Sequence, residues 1–216
     1  MNSIKKYRTI LYSIILIVIP VLAFAAVTMI KNRYEKLPMY DSTLNTNKED
    51  RTPHYIQPFA LINQDGKIFS DNELNNKIYV ADFFFTSCTS ACPKMTKNLV
   101  LVQSEFKNND AIKITSFTVD PETDTVQRLK WYANVFKIDS AKWNLLTGNK
   151  KDIYRLARES FYVSAGDGDG GSDDFIHSDK LVLVDKHKQI RGYYTGTDEA
   201  SVEQLIHDIK KLGNEN

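Results

Sequence analysis

Cys88-Thr89-Ser90-Ala91-Cys92-Pro93 holds the only two cysteines of the chain, immediately ahead of a proline. Proline suits the first turn of an α-helix, where its missing N–H costs nothing. The motif therefore predicts a helix starting at Cys92 or Pro93. The positive end of such a helix favours thiolate over thiol. Low-pKa thiolates serve two chemistries: thiol–disulfide exchange and the binding of soft metal ions. The C-x3-C spacing is one residue longer than the C-x-x-C of disulfide oxidoreductases, and the longer loop lets two sulfurs diverge enough to hold one ion. A purely structural bridge is the weaker alternative. A disulfide stabilises chiefly by closing a long loop of the unfolded chain, and this one would close almost none.

Two thiolates leave most metals short of ligands. The chain has four histidines: His54, His177, His187 and His207. His54 lies in a polar stretch that reads as linker. His187 sits in the turn Asp185-Lys186-His187-Lys188 and reads as solvated. His207, beside Asp208 on a predicted helix, reads as surface. His177 is different. It follows the run Gly166-Asp167-Gly168-Asp169-Gly170-Gly171 and comes just before a predicted strand at Leu181. In a thioredoxin-like fold the loop entering that strand lies against the reactive loop and normally carries a cis-proline. This chain has no proline after Pro121, and a histidine stands where the proline is expected. His177 is thus the candidate third ligand.

The elements that must position these residues are legible from periodicity. Residues 59–62 and 67–69 flank Asp65-Gly66 and read as a β-hairpin. Ile78 to Phe85 is a nearly unbroken apolar run, as expected of a strand buried on both faces. Residues 93–107 place Met95, Leu99, Val102 and Phe106 at helical spacing. Ile112 to Val119 reads as a strand, and 124–136 as a helix with Val126, Leu129 and Ala133 inward. Trp143 to Leu146 reads as a short strand and Lys151 to Glu159 as a short helix. Leu181–Val184 and Ile190 to Tyr194 make a closing hairpin, and 198–212 a last amphipathic helix. Strands alternating with helices imply an α/β fold with a mostly parallel sheet covered on both faces, to which the terminal hairpin adds antiparallel strands. A reactive loop between a buried strand and the next helix makes it thioredoxin-like.

Thr9 to Ile30 carries no charge over 22 residues, enough for a membrane-spanning helix, which needs about 20. Ala23-Phe24-Ala25 offers a signal-peptidase site as the alternative, but the apolar run continues past it and favours an uncleaved anchor. Either reading places the domain outside the cytoplasm, where disulfides form. Lys5, Lys6, Arg8, Lys31, Arg33 and Lys36 flank this stretch, so the rest of the chain is mildly acidic although the whole carries +1. Such a domain has no electrostatic footprint for nucleic acid. The organisation read from the sequence is a short N-terminal segment at 1–8, a transmembrane anchor at 9–30, a linker at 31–56 and one domain at 57–212. No Arg-rich transit sequence precedes the apolar run. The expected location is a bacterial cytoplasmic membrane, with the domain in the periplasm or extracytoplasmic space.

At this point three elements in order match a known family. Phe84-Phe85-Thr86 leads into Cys88-Thr89-Ser90-Ala91-Cys92-Pro93; Asp120-Pro121-Glu122-Thr123-Asp124-Thr125 matches D-P-x-x-D-T; and His177-Ser178 matches a single downstream histidine followed by Ser or Thr. The chain resembles the Sco (SenC) family of copper chaperones for cytochrome c oxidase, over most of 57–212 and in the anchor. Many members carry Asp directly before the histidine; here the residue is Ile176, and the nearest upstream acid is Asp174. The resemblance implies copper, as Cu(I) or Cu(II), on Cys88, Cys92 and His177. It also implies delivery to the dinuclear copper site of oxidase subunit II or a similar acceptor, and an upstream copper donor or thiol reductant. The Asp120–Thr125 element reads as structural, with Asp124 or Thr123 as a helix N-cap. The competing function is a thiol–disulfide oxidoreductase that reduces partner cysteines without carrying copper. Thr86-Ser87-Cys88 is one residue short of a peroxiredoxin Thr-x-x-Cys, and zinc would want four protein ligands.

Overall fold

The computed structural model describes residues 16–24, 27, 36–40, 53–163 and 178–215. The chain divides into two compact units, Met1–Lys36 and Leu37–Asn216. In the first, the described residues 16–24 and Val27 are helical and exposed. The remainder of the 9–30 stretch lies outside the described residues. Among the described residues no helix is long and apolar enough to cross a membrane.

The second unit is built on one mixed sheet. In chain order its elements are β1 (Ala60–Asn63), β2 (Ile68–Ser70), β3 (Ile78–Phe84), α1 (Ala91–Glu105), β4 (Ile112–Thr118), α2 (Val126–Phe136), β5 (Trp143–Thr147), α3 (Lys150–Arg155), β6 (Lys180–Val184), β7 (Ile190–Thr195) and α4 (Glu199–Gly213). The strand order is β2-β1-β5-β4-β3-β6-β7. Only β3–β4 and β4–β5 pair in parallel. All other neighbours are antiparallel, so the mostly parallel sheet expected from the sequence is corrected to a mixed one. Parallel pairing needs a crossover connection, and only α1 and α2 supply one between neighbouring strands. The two hairpins add their strands antiparallel at either edge. Gly66 carries the first hairpin turn at φ +72°, a conformation open to glycine at no steric cost.

Strand β3 is buried at all seven positions, as its apolar run requires. Its alternate residues feed two cores. Ile78, Val80 and Phe84 meet α1, α2 and α4 through Met95, Leu99, Leu129, Tyr132, Leu205 and Ile209. Tyr79, Ala81 and Phe83 meet Ile153, Tyr154 and Phe161 on the other side, together with Ile56, Phe59 and Leu61 near the N-terminus. Within the stretch 31–56, Leu37 and Ile56 are buried. Arg191, itself buried, donates to the Leu37 and Pro38 carbonyls and pairs with Asp185 and Glu215.

One charged group interrupts the first core. Asp82 lies in β3 between Val80 and Phe84, 2% exposed, and accepts a hydrogen bond from Ser116, which in turn accepts from the Trp143 indole at 2.8 Å. Burial raises the Asp82 carboxyl to about 7, with the Ser116 bond opposing the rise. A carboxyl raised in the folded state binds its proton more tightly than in the unfolded chain. Stability is therefore fullest at acid pH and falls as pH climbs from the ordinary carboxylate range through about 7. Asp82→Asn keeps the acceptor and removes the titration. The variant is expected to exceed the parent in unfolding free energy at pH 8 by at least about 1 kcal/mol and to lose that advantage near pH 4. Parallel denaturant curves for the two proteins across this range check it.

Candidate functional site: a dithiol at a helix start

The site begins where β3 ends. Thr86 follows β3 after Phe85, and its backbone N–H donates to both carboxylate oxygens of Asp124, at 3.0 and 3.3 Å. The Thr86 hydroxyl also donates to Asp124, as does that of Thr118 at the end of β4. Arg128 Nε closes the group by donating to the Thr86 hydroxyl at 3.0 Å. The helix cap expected of Asp124 or Thr123 is instead Thr125, whose hydroxyl accepts from Arg128 N–H at 3.3 Å. Asp124 is fully buried and shapes the loop ahead of the cysteines.

From Thr86 the chain turns, with Cys88 N–H donating to the Phe85 carbonyl at 3.3 Å. Helix α1 starts at Ala91, with Pro93 in its first turn and Met95, Leu99 and Val102 on its buried face. Both cysteines are free thiols, Cys88 partly exposed and Cys92 buried. The backbone N–H of Cys92 donates to Cys88 Sγ at 3.4 Å.

The helix start treats the two sulfurs oppositely. Partial burial works against a Cys88 thiolate. The backbone and side-chain hydrogen bonds from Cys92 and Ser90 outweigh it and bring the Cys88 thiol down to about 7. Burial pushes the Cys92 thiol up to about 12, helped by the Cys88 and Asp82 charges and opposed by a bond at Phe85. The sequence expectation that one helix end would favour both thiolates thus holds for Cys88 and fails for Cys92, where loss of water dominates.

Both cysteines line one cavity of about 400 Å³, together with Phe83, Phe85, Ser90, Ala91, Ser178 and Asp179. Of the three residues singled out as ligands, the structure brings Cys88 and Cys92 together. His177, with Ile176 and the Gly/Asp-rich run, lies outside the described residues. Among the described residues no three of His, Cys, Asp and Glu converge on one point. The donor set present fits a soft cation: two cysteines lining one cavity, one of them ionising near neutrality. The other described histidines do structural or surface work. His54 Nε2 meets the Ser160 carbonyl and Nδ1 the Tyr162 hydroxyl, each at 2.8 Å, so it belongs to the packed domain rather than to a linker. His187 is exposed in its turn, and His207 is an exposed partner of Asp208. The role of Asp124 was only half legible, because its partners are distant in sequence.

A strand–loop–helix dithiol on this sheet defines a thioredoxin-like redox or metal-binding domain. Residues 47–214 match the SCO1/SenC family, and the chain belongs to that family. It is 32% identical over 164 residues to the SCO1 protein homolog of Bacillus subtilis (strain 168), covering 75% of this chain and 84% of that protein. The structure of BsSco is 30% identical, with a TM-score of 0.64 over 79% of this chain and all of that one. BsSco is described as a member of the Sco family of cytochrome c oxidase assembly proteins in which a disulfide switch was identified. Arabidopsis thaliana ScoI, solved with copper bound, is 27% identical, with a TM-score of 0.58 over 72% of this chain and 98% of that one.

The split between the thiols is directly measurable. Alkylation of the reduced protein with iodoacetamide, resolved by peptide mass spectrometry, is expected to modify Cys88 with a rate midpoint near pH 7. Cys92 stays unmodified in the native protein up to pH 9. Equal rates at the two positions would refute the asymmetry.

Proposed function

We propose that this chain is a copper metallochaperone that holds Cu(I) or Cu(II) on Cys88, Cys92 and His177 and passes it to the dinuclear copper site of cytochrome c oxidase subunit II. One observation carries the reading. The cavity onto which both cysteines open is also lined by Ser178, the residue next after His177 in the chain. Adjacent Cα atoms are about 3.8 Å apart, so chain continuity supports His177 as the third ligand. The copper-bound Arabidopsis relative supports the choice of metal.

The thiol asymmetry favours a second activity at the same atoms. A Cys88 thiolate attacks one sulfur of a partner disulfide, forming a mixed disulfide and releasing the partner's first thiolate. Cys92 then loses its proton and attacks Cys88 Sγ, releasing the second. The partner disulfide is reduced to two thiols and Cys88–Cys92 is oxidised to a disulfide, which an upstream thiol reductant reopens. Oxidation removes two metal ligands, so copper carriage and thiol reduction exclude each other in time. Reduction of the acceptor's cysteines would prepare it for the same metal.

The reading includes an uncleaved N-terminal anchor at 9–30, with the domain on the extracytoplasmic side of a bacterial membrane. The described helical residues 16–24 carry no polar side chain on any side, and all are exposed. A helix that is hydrophobic all round suits lipid.

The test is titration of the full chain, in detergent and fully reduced, with Cu(I) and with Cu(II). One equivalent of copper is expected to bind, and His177→Ala to weaken Cu(II) binding by about 100-fold or more, since even outer positioning groups contribute 10–100-fold. Parental affinity in His177→Ala would remove the third ligand. Retained disulfide-reducing activity without copper binding would leave the oxidoreductase reading.

A further inference from the structure

Asn98 lies on α1, buried at 5% exposure, on the helix whose first turn carries the cysteines. Its Nδ2 donates to the Gly196 carbonyl at 2.8 Å. Gly196 follows β7, and its N–H donates to the Asp179 carbonyl at 2.7 Å. Asp179, with Ser178, lines the cysteine cavity. Its carboxylate is held as well, by the Thr197 hydroxyl and by Lys180 Nζ, each at 3.4 Å. One side-chain–backbone bond and one backbone–backbone bond therefore connect the cysteine helix to another wall of its own cavity.

The link has no slack. A Cβ built on Gly196 would stand 3.0 Å from Leu181 Cγ, 3.0 Å from Met95 Cγ and 3.1 Å from the Asp179 carbonyl oxygen. Met95 belongs to α1 and Leu181 to β6, so the glycine is wedged between the two elements that flank the site. Any side chain there would have to push on the Asp179 backbone, which cannot swing aside as the end of a long side chain can. The hydrogen bond from Asn98 is also more than packing requires. An apolar residue would fill the same buried volume, but it would leave the Gly196 carbonyl without this donor.

We infer that Asn98 and Gly196 are positioning residues of the copper site, setting the separation between the cysteine helix and the Ser178–Asp179 wall that continues directly from His177. The inference rests on the reading of His177 as third ligand. Ligand positions must be held to within about half an ångström for full affinity. Conformational slack at Asp179 would therefore be felt at the neighbouring imidazole while leaving the two sulfurs where they are.

The test is a set of double-mutant cycles on the full chain in detergent, with Cu(II) affinity measured by competition against a chelator. Asn98→Ala and Gly196→Ala are each expected to lower the affinity about tenfold and to shift the thiolate-to-copper charge-transfer band. Combined with His177→Ala, either substitution should cost less than about twofold more, because coupled positions do not add. The midpoint potential of the Cys88–Cys92 pair, which needs no third ligand, should stay at the parental value. Circular dichroism melting shows which variants are folded at the assay temperature, and one folded variant of the two suffices. Equal losses with and without His177, parental affinity in a folded single variant, or a shifted dithiol potential would overturn the positioning role. Parental affinity in His177→Ala alone would instead remove the three-ligand site itself, and this inference with it.

Discussion

The carboxylate of Asp124 accepts from the Thr86 N–H, the Thr86 hydroxyl and the Thr118 hydroxyl, and so fastens the ends of two adjacent parallel strands to the entry of α2. The site depends on this junction. Thr86 is two residues before Cys88, and the chain between them must turn sharply from a fully buried strand into a half-exposed loop. A buried backbone N–H left without a partner costs about 1–3 kcal/mol, so the loop cannot leave Asp124 cheaply. Arg128 braces the same threonine from the first turn of α2, which makes the start of that helix part of the cysteine loop's foundation. The D-P-x-x-D-T segment thus acts on the cysteines through hydrogen bonds, from a position 32 residues later in sequence.

Given that junction, burial decides what the two sulfurs can do. Cys88 stands at the edge, where hydrogen bonds to the anion outweigh a modest loss of water. Cys92 is one turn further in, against Met95 and the β3 core, where loss of water outweighs everything else. The consequence is an ordered site. An ionised Cys88 is ready to meet either a partner disulfide or an incoming cation. Cys92 keeps its proton until a neighbouring charge or an electrophilic sulfur draws it out. Metal binding to such a pair must release at least one proton, and so must the second step of disulfide exchange. The same asymmetry therefore suits either chemistry of the proposed function.

Much of this was visible in the sequence because local pattern determines local structure. The nearly unbroken apolar run from Ile78 is β3, the spacing of Met95, Leu99 and Val102 is α1, and Pro93 marks its first turn. What was not visible depends on distant pairing. The sheet is mixed because β1 joins β5 and β6 joins β3, partnerships that no single element's periodicity announces. Asp124 looked like a cap because Ser, Thr and Asp near a helix start usually are. It is displaced from that role by Thr125 and recruited by a threonine from another strand. His54 looked like linker because the residues around it are polar, yet both its ring nitrogens are engaged by the segment 160–162. Helix-end electrostatics correctly flagged Cys88 and misjudged Cys92, since burial cannot be read from a six-residue loop.

Strand β7 does more for the site than its edge position suggests. The Tyr193 hydroxyl donates to the Phe161 carbonyl at 3.0 Å, just before the Gly/Asp-rich stretch, and Gly196 holds Asp179 just after it. His54 adds a second hold at Tyr162, with the rings 4.4 Å apart. The chain is therefore pinned on both sides of residues 164–177 by groups belonging to the rigid sheet and its N-terminal strap. His177 stands two residues before Asp179 in the sequence. The described residues that bracket this stretch, Phe161 and Asp179, are thus each hydrogen-bonded to the end of β7 or to the residue just beyond it.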